Sequence, residues 1–221
     1  MSDQPDTMTS DNTPSKARQR QRRPQAARPG NQPARQHPVL TRLAELYPAL
    51  FGETLRPLKR GIYQDLLAAH GSELDKDGLK AALALHTRST RYLNAVASGA
   101  QRHDLNGQPV EAVAPEHVHH ALVEVFRRRQ QRSAEDLRPK LLRRLAQAFE
   151  ASGLSREAYV EKVLGRDEAI NTLTLEALAE AGSRAARAEA LRRAFAASGM
   201  SVEDFAGSYG LPLDEVRRTL A

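Results

Sequence analysis

Cysteine and tryptophan are absent from the 221 residues, and aromatic side chains make up only 5% of them. Without cysteine there are no disulfides and no thiolate metal sites, which fits a reducing compartment. No stretch approaches the ~20 apolar residues that a membrane-spanning helix needs. The N-terminus is polar and lacks the apolar run of a signal peptide. These absences together lead to the expectation of a cytoplasmic protein without a membrane partner. Signatures of catalysis are missing too. There is no phosphate loop ending in Gly-Lys-Ser/Thr, no Gly-x-Gly-x-x-Gly after a strand and no Gly-x-Ser-x-Gly elbow. Scattered Asp, Glu, His and Ser residues do not make a constellation. Neither an enzyme nor a cofactor is expected.

The apolar residues that are present, 40% of the chain, are dominated by Leu and Ala, which suits helix-on-helix packing better than a β-sandwich. The net charge is +6, and it is unevenly placed. Residues 1–37 hold Lys16, Arg18, Arg20, Arg22, Arg23, Arg28 and Arg35 against Asp3, Asp6 and Asp11, which is +4 (7 minus 3) and leaves +2 for residues 38–221. That segment is rich in Gln, Pro and Arg and has almost no large apolar side chains. It cannot bury enough surface to offset chain entropy, so it reads as a disordered basic arm suited to nonspecific attraction to a polyanion.

At His37-Pro38 the pattern changes. Leu40, Leu43, Leu46, Tyr47 and Leu50 recur at helical spacing and predict one amphipathic helix over 38–51. A loop from Gly52 to Gly61 carries Arg56, Lys59 and Arg60. A second helix is expected from Ile62 to His70, stopped by Gly71. Asp75 is the expected N-cap of a third, whose stripe is Leu79, Ala82, Leu83 and His86. Thr87, Ser89 and Thr90 offer the cap of a fourth, through Arg91, Tyr92 and Val96. Asn106-Gly107 predicts a hairpin joining 102–105 to 108–112. Pro115 opens a long helix to about Arg132, ending in Arg127, Arg128, Arg129 and Arg132.

Three groups of residues in this stretch belong together. Arg56-Pro-Leu-Lys59-Arg-Gly61-Ile62-Tyr63-Gln-Asp65-Leu66 comes first, then Leu79-Lys80-Ala-Ala-Leu83, then Tyr92-Leu93 followed by Gly99-Ala-Gln-Arg102-His-Asp104-Leu-Asn-Gly107. In that order they resemble the ProQ/FinO family of bacterial RNA chaperones over residues 38–132. The resemblance implies an α+β, mostly helical domain of about five helices and one small β-hairpin. It further implies binding of structured RNA, notably the base of a terminator-type hairpin and its 3′ single-stranded tail. Such a ligand needs cations spaced along phosphates and a pocket for a free end. By motif position the resemblance assigns RNA contacts to Lys59, Lys76, Lys80, Tyr92 and Arg102. The residues themselves add Arg56 in the loop. They also add the turn Thr87, Arg88, Ser89, Thr90 and Arg91, where free helix N–H groups and two guanidiniums suit a phosphate. Ala84, His86 and Thr90 depart from the basic or aromatic residues common in the family at those places. His117, His119 and His120 read as exposed helix histidines near phosphate, without the carboxylate pattern of a metal site.

Beyond Leu137 the chain repeats itself. Leu145-Ala-Gln-Ala148-Phe149-Glu-Ala151-Ser152-Gly153-Leu154-Ser155 returns as Leu191-Arg-Arg-Ala194-Phe195-Ala-Ala197-Ser198-Gly199-Met200-Ser201, and Glu157 and Tyr159 answer to Glu203 and Phe205. Each copy predicts a helix, a Gly stop, a Ser cap and another helix. Residues 133–221 thus read as a separate all-helical module with two related repeats. Its end, Phe205 to Leu220, has helix-turn-helix spacing, but the face bearing Asp214, Glu215, Arg217 and Arg218 is mixed in charge. A packing role or a protein partner over residues 137–221 fits this face better than DNA. A DNA-binding regulator and a protein-interaction adaptor stay open as rival readings beside post-transcriptional regulation of small regulatory RNAs and mRNA 3′ ends.

Overall fold

The computed structural model describes residues 37–220. The basic arm expected over residues 1–37 lies, except for His37, outside the described residues. Among the described residues there are eleven helices and one two-stranded antiparallel sheet, a mostly helical α+β fold. No helix there is long and apolar enough to cross a membrane.

The single helix expected over 38–51 is broken in two, α1 (Pro38–Leu46) and α2 (Pro48–Phe51). Pro48 has no N–H to give and pushes the preceding residue out of the helical region. Tyr47 accordingly sits at φ −133°, ψ 64°. The break aims Leu43 and Leu50, both fully buried, into one core from two directions. Helix α3 (Ile62–His70) follows the expected bounds, and α4 (Lys76–Arg88) is capped by Asp75, whose carboxylate accepts the Gly78 N–H at 2.7 Å. The expected stripe of α4 is its buried face: Leu79, Ala82, Leu83 and His86. Ser89 caps α5 (Thr90–Val96) by accepting the Tyr92 N–H.

The hairpin is shorter than its sequence pattern. Strand β1 (Arg102–His103) pairs with β2 (Pro109–Glu111), with a register irregularity between Arg102 and His103. Asp104 Oδ1 accepts the N–H groups of both Asn106 and Gln108 and turns the chain early. Pro109 cannot donate to a ladder. Gly107 takes φ +73° in this turn. Its Cα faces Ala49, which a side chain there would meet at 3.4 Å. The structure adds a pairing that alternation did not announce. His103 N–H donates to Pro57 O and Lys59 N–H to His103 O, each at 2.8 Å, so the Arg-Pro-Leu-Lys loop lies against β1 like a third strand.

Helix α6 (Pro115–Gln130) then runs along α5, α7 (Arg138–Ser152) and α8 (Arg156–Val163) pack on it, and α9 (Glu168–Ser198) packs on α7. One core continues from Leu43 and Leu66 through Leu122 and Val125 to Leu141 and Leu145 of α7 and Ala177 and Ala181 of α9. His119 is a correction to the expected row of exposed histidines. It is 6% exposed, and its Nε2 lies 2.9 Å from Thr174 Oγ1. Thr174 already donates its own proton to Ile170 O, so the imidazole N–H is the donor to it. The cause is α9 docking across α6, a contact 55 residues away in sequence.

The two repeats are realised down to their caps. Gly153 and Gly199 take φ +63° and +64°, the left-handed stop that glycine adopts without a Cβ clash. Ser155 accepts the Ala158 N–H and Ser201 the Asp204 N–H. Phe149 meets Tyr159 edge-on with ring centres 5.2 Å apart, and Phe195 meets Phe205 likewise at 5.3 Å. The second copy, completed by α10 (Val202–Tyr209) and α11 (Leu213–Leu220), holds a core of its own around Phe205, Ala206 and Val216.

Candidate nucleic-acid interface

The loop cations expected to reach RNA are first of all structural. Arg56 donates to Gly107 O at 3.2 Å and so holds the hairpin turn. Lys59 Nζ lies 2.8 Å from Asp65, and Arg60 grips Glu111 through Nε and Nη2. Hydrogen bonds from Arg60 hold the Glu111 carboxyl down at about 2, well below the usual range. Lys59 is raised above the usual lysine value by its bond to Asp65 and stays charged.

Tyr92 and Arg102 stand behind this loop. Tyr92 is 6% exposed, its ring centre 5.0 Å from that of His86 and tilted to it, and its hydroxyl accepts the Leu58 N–H at 3.0 Å. Arg102 donates to Leu58 O at 2.9 Å and to His117 Nδ1 at 3.2 Å. Its buried Nε has no hydrogen-bond partner, and the nearest carboxylate oxygen, of Glu111, is 3.9 Å away. Both polar groups of Leu58 are thereby tied to the pair. Together Tyr92, Arg102, His117 and His120 line a recess of about 150 Å³ between α5 and α6. The recess has an apolar back, Leu93 and Val96, and a cationic side. His117 and His120, one turn apart on α6, share this recess; among the described residues no group of three ligating side chains could hold a metal.

The turn between α4 and α5 is also largely self-satisfied. Thr87 Oγ1 donates to Leu83 O, Ser89 accepts the Tyr92 N–H, and Thr90 Oγ1 accepts from Arg128. Arg91 donates to Glu53 O at 2.6 Å. Helix α5 has seven residues, too short for much of a dipole. The cation left free at this turn is Arg88, exposed at the end of α4. Lys76 and Lys80, one turn apart on the same helix, are exposed, and neither pairs with a carboxylate among the described residues. Lys76, Lys80 and Arg88 are thus the unneutralised cations of α4.

His86 was singled out as a departure from an aromatic position, and it occupies that role. Its ring packs between Phe51 and Tyr92, 6% exposed, with Nε2 unpartnered. Burial, helped by nearby Arg91, pushes its pKa down to about 4. The imidazole therefore serves as a neutral ring in the aromatic stack.

Comparison with known proteins meets this geometry. Residues 34–138 match the ProQ/FINO family, and a FinO-like RNA chaperone of Neisseria meningitidis is 35% identical, with 85% of its chain covered by 38% of this one (TM-score 0.35). Residues 34–138 form a ProQ/FINO family domain. A curated relative, RNA chaperone ProQ of Shewanella oneidensis, is 46% identical over 88 residues, 38% of this chain and 41% of the relative. The match thus spans less than half the length of that relative. A ProQ homologue of Legionella pneumophila is 28% identical, covering 46% of this chain and 88% of its own (TM-score 0.37). The ProQ/FINO match begins within the segment read as a basic arm and ends at the first residue of α7.

Proposed function

We propose that the chain is an RNA-binding protein of the chaperone type, which holds structured RNAs by a 3′ end and promotes their pairing. The observation that carries this reading is the recess of Tyr92, Arg102, His117 and His120, with the unpaired cations of α4 as a further source of positive charge. Arg102, held by Leu58 O and His117, presents a fixed guanidinium to the recess, which suits a terminal phosphate or ribose hydroxyls. Lys76, Lys80 and Arg88 supply unneutralised charge of the kind a duplex stem requires. Lys59 and Arg56 position the loop and add charge at its rim. Tyr92 positions Leu58 and, by its edge, shapes the recess. The relatives' names support the same reading.

In this reading residues 1–37 form an arm that raises encounter rates without selecting sequence, acting through the counterions it releases. The folded unit begins at residue 38, and the repeats after residue 132 offer a surface for a protein partner. The DNA-binding alternative is disfavoured because Arg217 is paired with Glu203 at 2.7 Å and lies beside Asp214 and Glu215. The test is direct. The full chain should bind a hairpin with a 3′ oligo-U tail more tightly than the same hairpin blunt or blocked by a 3′ phosphate. Equal affinity for the three would remove the end-recess reading.

A further inference from the structure

Arg102 lies between two acceptors that compete for it. On one side is the Glu111 carboxylate, whose Oε1 is 3.9 Å from Arg102 Nε. On the other is the end recess, where Arg102 donates to His117 Nδ1 at 3.2 Å. An arginine side chain only 12% exposed and this near a carboxylate ordinarily closes on it as a bidentate pair. Here it does not, and Nε is left buried without a partner.

Arg60 is the cause on the Glu111 side. Its backbone N–H donates to Glu111 Oε1 at 3.1 Å, and its Nε and Nη2 donate to Oε2 at 3.0 and 2.7 Å. The low pKa of Glu111 is accordingly due first to hydrogen bonds from Arg60, while Arg102 acts on it last and only through space. On the recess side the cause is His117. A guanidinium has no acceptor, so His117 Nδ1 accepts and the ring proton sits on Nε2. With Nη1 fixed on Leu58 O and Nη2 on His117, a second N–H on each terminal nitrogen remains for a ligand.

Such a fork suits two neighbouring oxygens, and the 2′ and 3′ hydroxyls of a terminal ribose are such a pair. A recess of about 150 Å³ takes one sugar and excludes a paired stem. An ionised phosphate or a protein carboxylate also matches the fork, but each only accepts. A hydroxyl accepts from Arg102 and can donate as well, to the acceptor nitrogen that a neutral His120 presents in the same recess. We propose that Arg60 and His117 are positioning residues that keep Arg102 open to the ribose hydroxyls of a free 3′ end, Arg60 by occupying Glu111 and His117 by fixing the guanidinium. The inference rests on the 3′-end reading and names what the recess recognises there.

The experiment uses the full chain and two hairpins with the same 3′ oligo-U tail, one ending in an ordinary ribose and the other in a 2′,3′-dideoxy nucleotide. Charge and base are equal in the two, so their affinity ratio reads the hydroxyls alone. The unsubstituted protein should favour the ribose end about fivefold or more. Arg60→Gln frees Glu111 to take Arg102, and His117→Leu removes the acceptor, so each should bring the ratio to within about twofold of one. Arg60→Gln/Glu111→Gln should restore the preference although it lacks the same grip between loop and hairpin, and His117→Asn, which keeps an acceptor, should restore it too. A merely structural role for either residue would not be rescued in this way. Arg60 is 70% exposed, so its substitution leaves the core untouched. A preference that survives in Arg60→Gln or His117→Leu, or that the double variant fails to recover, overturns the proposal. If the unsubstituted protein rejects a 3′ phosphate but binds the dideoxy end as well as the ribose end, the proposal falls and the 3′-end reading stands; if it distinguishes none of these ends, both fall.

Discussion

The Tyr92 hydroxyl accepts the Leu58 backbone N–H at 3.0 Å, joining α5 to a loop 34 residues earlier in the chain. Arg102 takes the Leu58 carbonyl from the other side at 2.9 Å. The loop is therefore fixed by its backbone, at a leucine, and its cations are presented from a rigid platform. This arrangement gives Tyr92 a role that does not depend on touching RNA.

Tyr92→Phe keeps the ring and removes only the acceptor. The buried Leu58 N–H is then unsatisfied, and stability should fall by about 1–3 kcal/mol. Tyr92→Ala also opens a cavity and should cost about 3–5 kcal/mol. Chemical denaturation of both variants separates the two contributions; an unchanged midpoint for Tyr92→Phe would show that the bond does not hold the loop.

Lys76→Ala and Lys80→Ala should each weaken hairpin binding by roughly five- to tenfold, the loss of one charge-assisted phosphate contact. Arg217→Ala and Arg218→Ala should leave it unchanged, since that helix packs on the second repeat and its charge is mixed. Filter binding at one fixed salt concentration checks all four. The reverse pattern would move the nucleic-acid site to the C-terminal helices.

Two buried histidines make stability depend on pH. His86 and His119 both have pKa values near 4, pushed down mainly by burial, against about 6.5 in the unfolded chain. Between those values the unfolded state binds more protons, so stability rises with pH across this window and is lost as pH falls from about 6.5 toward 4. The loss should be on the order of 3 kcal/mol per histidine. His86→Phe should remove about half of that slope and, by deleting an unpartnered buried nitrogen, raise stability at neutral pH. Urea melts at several pH values give both readings, and a slope untouched by His86→Phe would contradict the assignment.

Phe205→Ala strikes a core that shares no buried residue with the main one. It should cost about 3–5 kcal/mol locally and unfold α10 and α11 while α1 to α7 keep their amide protection. Hydrogen exchange resolved by segment is the measurement. Loss of protection in α4 or α5 would show that the second repeat supports the N-terminal helices.

Local rules acting over a few residues made much of this chain legible from sequence. Asp75 as a cap, the stripe from Leu79 to His86, the left-handed stops at Gly153 and Gly199 and the paired repeats all follow from spacing and backbone conformation, and the ordered motifs from Arg56 to Gly107 identify the family. What tertiary structure decided is where polar side chains spend their hydrogen bonds. Nothing in the spacing tells that Lys59 turns back to Asp65, that Arg91 goes to a carbonyl of Glu53, or that His119 is covered by Thr174. A long cationic side chain reaches partners several ångströms away in any direction, so its neutralisation depends on which helices pack beside it. That packing leaves Lys76, Lys80 and Arg88 of α4 exposed and without a carboxylate partner among the described residues.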